Sequence, residues 1–209
     1  MAFDLQEQEQ IDSLKVFWNQ WGKWVVAGVG CLAIGYLGYK AYNLYQARQV
    51  EASAAVYVSL EQAAGAQDLA KVKAGAASIE ADYATSPFAP RAAFLAAKAG
   101  FDKNDLAYAR DQLNWVATHA KEPALVSLAQ LRLANVLLDQ KQYDAAVAQL
   151  NLAHEPAFDA LYFDAKGDVF AIKGDKSAAR DAYQAALAKL ASDAPSREYI
   201  QTKLDALGG

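Results

Sequence analysis

The chain has 209 residues, a formal net charge of -4 and 54% hydrophobic residues, which excludes a disordered polypeptide and leaves room for one ordinary domain with an appendage. Residues 1–48 carry four bases (Lys15, Lys23, Lys40, Arg48) and four acids (Asp4, Glu7, Glu9, Asp12), so the 16 bases and 20 acids that follow make the body -4 by itself. With no cluster of Lys/Arg to neutralise phosphates, the composition argues against nucleic-acid binding, and the single cysteine, Cys31, excludes an intrachain disulfide.

The first predicted element is a membrane helix. Sixteen residues without charge, Trp24 to Tyr39, lie between Lys23 and Lys40 and rise about 24 Å as a helix, against a hydrocarbon core of about 30 Å. Snorkelling lysines and continuation through Tyr45 close the gap. Trp18, Trp21 and Trp24 mark one end and Tyr36, Tyr39, Tyr42 and Tyr45 the other, as at membrane interfaces. A cleaved signal is the rival, with Ala52-Ser53-Ala54 as its site, but that site stands well beyond the apolar run and follows a long acidic lead. A lipoprotein signal at Cys31 fails because Leu32 to Tyr39 stays apolar. Orientation is undecided by charge, as Lys15 and Lys23 oppose Lys40 and Arg48. Ala27, Cys31 and Gly35 recur at four-residue spacing with Gly38 nearby, a face on which another membrane helix can pack closely. Glycine's general abundance in membrane helices explains the pattern equally well.

From Lys40 through Ala64 there is neither Gly nor Pro, so the membrane helix is expected to run on as a stalk. Gly65 and Gln67-Asp68 end it, and a second helix reaches about Tyr83. A third cannot start before Ser86-Pro87, where Ser86 can cap and Pro87 fits the first turn. The expected divisions are a tail over 1–22, a transmembrane helix over 23–45, a stalk over 46–65 and a repeat domain over 66–209.

Beyond residue 86 the sequence repeats. Ala109, Ala146 and Ala179 are 37 and 33 positions apart, bracketing the tetratricopeptide period of about 34. Small residues stand twelve positions earlier (Ala97, Ala134, Gly167). Four later come Leu113, Leu150 and Tyr183, and seven later Val116, Ala153 and Ala186. Such a register lets a small side chain on one helix admit a large one on its partner. Residues 50–84 match poorly. Pro123, Pro156 and Pro195 separate helical runs, and the last segment puts Tyr199, Ile200, Leu204 and Leu207 on one face, as a capping helix requires. The predicted fold is all-α: a single N-terminal transmembrane helix, then a tetratricopeptide-like right-handed helical-repeat solenoid with a C-terminal capping helix. An irregular Ala-rich bundle is the alternative, and the large-residue positions argue against it.

Catalytic and cofactor signatures are missing from the sequence. His119 and His154 are the only histidines, and no metal-ligand spacing, phosphate loop or nucleophile elbow occurs. Asp164 and Asp168 fall at i, i+4 and are the one candidate acid and base pair, though a solvated helix face explains them better. The first helix of each repeat lines the concave side, where the candidate groove residues are Phe94, Lys98, Phe101, Leu131, Asn135, Asp164 and Asp168.

Three stretches carry a family resemblance: IDSLKVFWNQWGKW at 11–24, YATSPFAPRAAFLAAK at 83–98 and KGDKSAARDAYQAAL at 173–187. The chain resembles the ancillary subunits of the bacterial Sec translocon, the YfgM-type tetratricopeptide membrane proteins. That resemblance implies a non-enzymatic inner-membrane protein with a cytoplasmic N-terminus and periplasmic repeats. Its implied partners are the translocon channel, a membrane-anchored periplasmic chaperone of prolyl-isomerase type, and secreted polypeptides. The rival function is an envelope assembly or division scaffold that binds one folded partner.

Overall fold

The computed structural model describes residues 2–208, with side chains from Glu9 onward. Met1 and Gly209, the outer limits of the expected tail and repeat domain, lie outside the described residues, as do the side chains of Asp4 and Glu7. Among the described residues the chain is all-helical: α1 (Ala2–Gly65), α2 (Leu69–Asp82), α3 (Ala89–Asp102), α4 (Leu106–His119), α5 (Pro123–Asp139), α6 (Tyr143–Leu150), α7 (Asp159–Lys173), α8 (Lys176–Lys189) and α9 (Ser196–Ala206), with a 3-10 turn at Pro156–Phe158. The chain divides into two compact units, Met1–Gln49 and Val50–Gly209.

The first unit is helical, and α1 is the one helix among the described residues long and apolar enough to cross a membrane. Its tryptophans and tyrosines from Trp18 to Tyr45 are exposed, and Leu32 and Ile34 are 75% and 73% exposed. A helix apolar all round is stable in hydrocarbon rather than in water, which fits a membrane anchor.

The second unit consists of four helix pairs and a cap. Each pair turns on a left-handed residue followed by the N-cap of the second helix: Gln67-Asp68, Asn104-Asp105, Lys141-Gln142 and Gly174-Asp175, with φ of 57°, 58°, 59° and 88° at the first of each. Asp68, Asp105 and Asp175 accept from the backbone N–H three residues on, satisfying a donor the helix start leaves open. The first of these pairs is formed by the end of α1 with α2. Leu60 and Ala63 of α1 are 1% and 7% exposed and share a core with Val72, Ala76 and Ile79. The compact unit begins at Val50, and α2 buries its apolar stripe between the end of α1 and α3, whose Ala89, Ala92 and Ala96 join the same core.

The aligned small positions are the contact points. Ala109, Ala134, Ala146, Ala179 and Ala186 have no exposure, and Ala97, Leu113, Leu150 and Tyr183 have 3% or less. A Cβ added at Gly167 would lie 2.3 Å from the Tyr183 ring, so only glycine admits that tyrosine. Three expectations are corrected. Ala153 is exposed, because α6 stops at Leu150 and the chain leaves the helix before reaching it. Helix α3 starts at Ala89 with Pro90 in its first turn. Ser86 instead is buried in the preceding turn, where its Oγ lies 2.6 Å from Ser53 Oγ and accepts from Phe88 N–H. On α9, Ile200 is 3% exposed while Tyr199 is 65% exposed; the Lys203 ammonium lies over its ring at 4.7 Å.

Candidate functional site

The turn register assigns equivalent positions on the first helix of each pair. Phe94, Lys98 and Phe101 of α3 correspond to Tyr57, Glu61 and Ala64 of α1, to Leu131, Asn135 and Leu138 of α5, and to Asp164, Asp168 and Ala171 of α7. Two clefts follow this line. One, of about 220 Å³, is lined by Phe94, Lys98, Phe101, Leu113, Arg132 and Asn135 among others. The other, of about 380 Å³, includes Tyr57, Glu61, Ala64, Leu95, Lys98 and Asp102. Lys98 belongs to both.

Four of the seven groove residues expected from sequence, Phe94, Lys98, Phe101 and Asn135, stand together in the first cleft. Leu131 does not; at 9% exposure it joins the central core with Leu133, Leu137 and Tyr162. Asp164 and Asp168 form a separate cluster. Lys203 of α9 bonds Asp164 at 3.0 Å and Asp168 at 2.8 Å, and the Tyr183 hydroxyl donates to Asp168 at 2.8 Å. Burial raises the Asp164 pKa and the Asp168 charge adds to this, while Lys203 opposes. Burial also works against the Lys203 ammonium, but its two carboxylate partners prevail and its pKa is raised. Tyr183 is pushed up by burial and by its bond to Asp168. The cluster is thus a clamp of α9 on α7, with both carboxylates held by a cation.

The first cleft has different chemistry. Phe101 is 43% exposed, the Arg132 guanidinium stands 5.0 Å over the Phe94 ring, and Lys98 is ion-paired with Asp102 one turn along α3. Burial and the neighbouring Glu61 raise the Tyr57 pKa in the second cleft. Arg132, Tyr57 and Glu61 were not among the residues expected from sequence. The recurring turn at Asp68, Asp105, Gln142 and Asp175 is the signal that finds Tyr57 and Glu61; Arg132 stands one position beyond a predicted one.

The remaining candidates do not converge on chemistry. His119 stacks on Trp115 with ring centroids 4.7 Å apart, and His154 stacks on Tyr162 at 3.7 Å while facing Asp159 at 3.2 Å. Among the described residues no three His, Cys, Asp or Glu side chains gather as metal ligands would. In the first unit Ala27, Cys31, Gly35 and Gly38 are exposed, and a Cβ at either glycine would meet no atom within 4 Å.

Residues 15–209 match the model of the tetratricopeptide repeat-like domain family. A protein of Neisseria gonorrhoeae named ancillary SecYEG translocon subunit is 37% identical over 208 residues, covering 99% of this chain and 100% of the relative. Proteins of the same name from Haemophilus influenzae and Escherichia coli are 30% and 28% identical, over 89% and 96% of this chain and 91% and 96% of theirs.

Proposed function

Because this chain belongs to the tetratricopeptide repeat-like family whose members include the ancillary SecYEG translocon subunits, we propose that it is itself an ancillary subunit of the Sec translocon, acting without catalysis. The observation that carries this reading is the 37% identity to a protein of that name along the full length of both chains. Residues 23–45 anchor the protein in the bacterial inner membrane, the tail over 1–22 stays in the cytoplasm and the repeats stand in the periplasm. There the cleft at Phe94, Lys98 and Phe101 recruits a membrane-anchored chaperone of prolyl-isomerase type or holds secreted chains as they emerge. The face of Ala27, Cys31, Gly35 and Gly38 packs against a membrane helix of the translocon. Exposed aromatic rings beside cations suit brief contacts with extended polypeptide.

The test is photocrosslinking from position 94 or 101 in cells. Translocon, chaperone or secreted chains are the expected adducts, and recovery of cytosolic proteins alone overturns the reading. Protease digestion of spheroplasts against intact cells checks the orientation, with cleavage of the repeats in spheroplasts only as the expected result. An unfolded peptide that fails to compete for the cleft favours the assembly-scaffold alternative.

A further inference from the structure

Equivalent positions of the repeat array meet different fates. In the fourth pair, Asp164 and Asp168 are covered by α9, whose Lys203 ammonium pairs with both and stands over the Tyr183 and Tyr199 rings at 5.7 and 4.7 Å. The chain therefore supplies its own occupant there: a helical segment that brings one charge of the complementary sign together with apolar surface. In the second and third pairs the same register positions are Phe94, Lys98, Leu131 and Asn135, and the charge beside them is positive. Lys98 has Asp102. Among the described residues Arg132 has no carboxylate partner; its only contact of this kind is the Phe94 ring. Phe101, Leu113 and Val136 complete an apolar floor in a cleft of about 220 Å³, room for one large side chain rather than for a folded domain. The body that carries this cation is acidic overall, so the positive charge is local to the cleft.

The geometry points to a docking site for a partner segment that inserts one aromatic or large aliphatic side chain between Phe94 and Phe101 and sets a side-chain carboxylate of Asp or Glu, one helical turn away, on Arg132. Guanidinium groups pair with carboxylates through two parallel N–H bonds, and a guanidinium already oriented by an aromatic face loses less freedom on pairing. A side-chain carboxylate is favoured over a chain terminus because the α9 clamp, the occupied counterpart in this molecule, pairs side chains within a helix. The inference rests on the proposed function only in supposing that the cleft meets another polypeptide.

The full-length protein in detergent is titrated into a fluorescein-labelled peptide with Phe and Asp four positions apart, and into the same peptide with Asn for Asp, with anisotropy as the readout. The Asp peptide is expected to bind about tenfold more tightly than the Asn peptide, and Arg132→Gln is expected to erase that difference without unfolding the chain, since Arg132 is exposed. Phe101→Ala is expected to weaken both peptides, and Lys176→Gln, on another helix, neither. Equal binding of the two peptides, an Asp preference that survives Arg132→Gln, or no binding of either overturns the assignment. Co-purification of the translocon with Arg132→Gln is scored separately: its loss or retention reports on translocon association, which does not depend on the charge preference.

Discussion

The first and last helix pairs of the Val50–Gly209 unit cross at the same register with their bulk exchanged. In the last pair the first helix supplies Gly167 and the second supplies Tyr183; in the first pair the corresponding residues are Leu60 and Ala76. Both solutions fill the space. Leu60 is 1% and Ala76 0% exposed, as Tyr183 is 2% exposed, and a Cβ on neighbouring Gly75 would come within 3.3 Å of Leu60. What a crossing requires is one large and one small partner, and which helix brings which is free.

The exchange can be broken most severely at its tightest point. Gly167→Leu drives a branched side chain into the Tyr183 ring, since even a Cβ there stands 2.3 Å from it. A loss of about 3 kcal/mol is expected in urea unfolding followed by far-UV circular dichroism. Adding Tyr183→Ala transplants the first pair's arrangement into the last and should return at least half of that loss. A double variant no more stable than the single would show that the two crossings are not interchangeable. Next in size is Leu60→Ala, which empties a fully buried site and should cost about 2–4 kcal/mol; Ala76→Leu in the same chain, which copies Leu113 and Leu150, should recover part of it.

That exchange also explains what could be read from the sequence. Ala109, Ala146 and Ala179, with Leu113, Leu150 and Tyr183, made three helix pairs legible because small and large residues keep their order. The first pair was hidden because the order reverses, although its Gln67-Asp68 turn repeats the backbone of Gly174-Asp175. Ala153 matched in sequence and not in structure, since one-dimensional spacing does not register that α6 ends at Leu150. Within the candidate site, Phe94, Lys98, Phe101 and Asn135 followed from helical periodicity alone. Asp164 and Asp168 shared that periodicity, but their partner Lys203 is 35 residues or more away in sequence, a tertiary pairing that no local pattern encodes.

The same two ends differ in how they treat buried charge, and Lys203→Met sharpens that contrast. At the last pair it leaves two part-buried carboxylates facing each other, with side chains 19% and 34% exposed. A loss of about 1–3 kcal/mol at neutral pH is expected, below the cost of stranding a fully buried charge because solvent reaches the site. Lys203 has a raised pKa in the folded chain, so the wild-type pair persists through the neutral range and is lost only in strong alkali. The deficit of the variant should shrink on acidification as Asp164, whose pKa burial raises, protonates. A deficit unchanged with pH would assign Lys203 a packing role alone.

In the first two pairs Glu80 has no such ion-paired cation among the described residues. Burial raises the Glu80 pKa, with Gln112 and His119 opposing, and Glu80 Oε1, Gln112 Oε1 and the Tyr108 hydroxyl are buried without hydrogen-bond partners. Burial and the charges of Glu80 and Asp105 push Tyr108 up to about 12. A protonated Glu80 resolves part of this, because its O–H can donate to an acceptor such as Gln112 Oε1 where a carboxylate can only repel it. The folded chain holds the Glu80 proton more tightly than the unfolded chain does. Its contribution to stability is therefore absent above the raised folded pKa, grows as pH falls through it, and is complete below the unfolded value of about 4.3. Glu80→Gln removes the titration, so it should stabilise the protein slightly at pH 8, by less than about 1 kcal/mol given the solvent access of the site, and the advantage should vanish at acid pH. Subtracting the wild-type unfolding curve from that of the variant at each pH isolates Glu80 from Asp164, whose raised pKa has the same sign. A difference independent of pH would mean that Glu80 holds its proton equally in the folded and unfolded chains, so that its surroundings favour neither form.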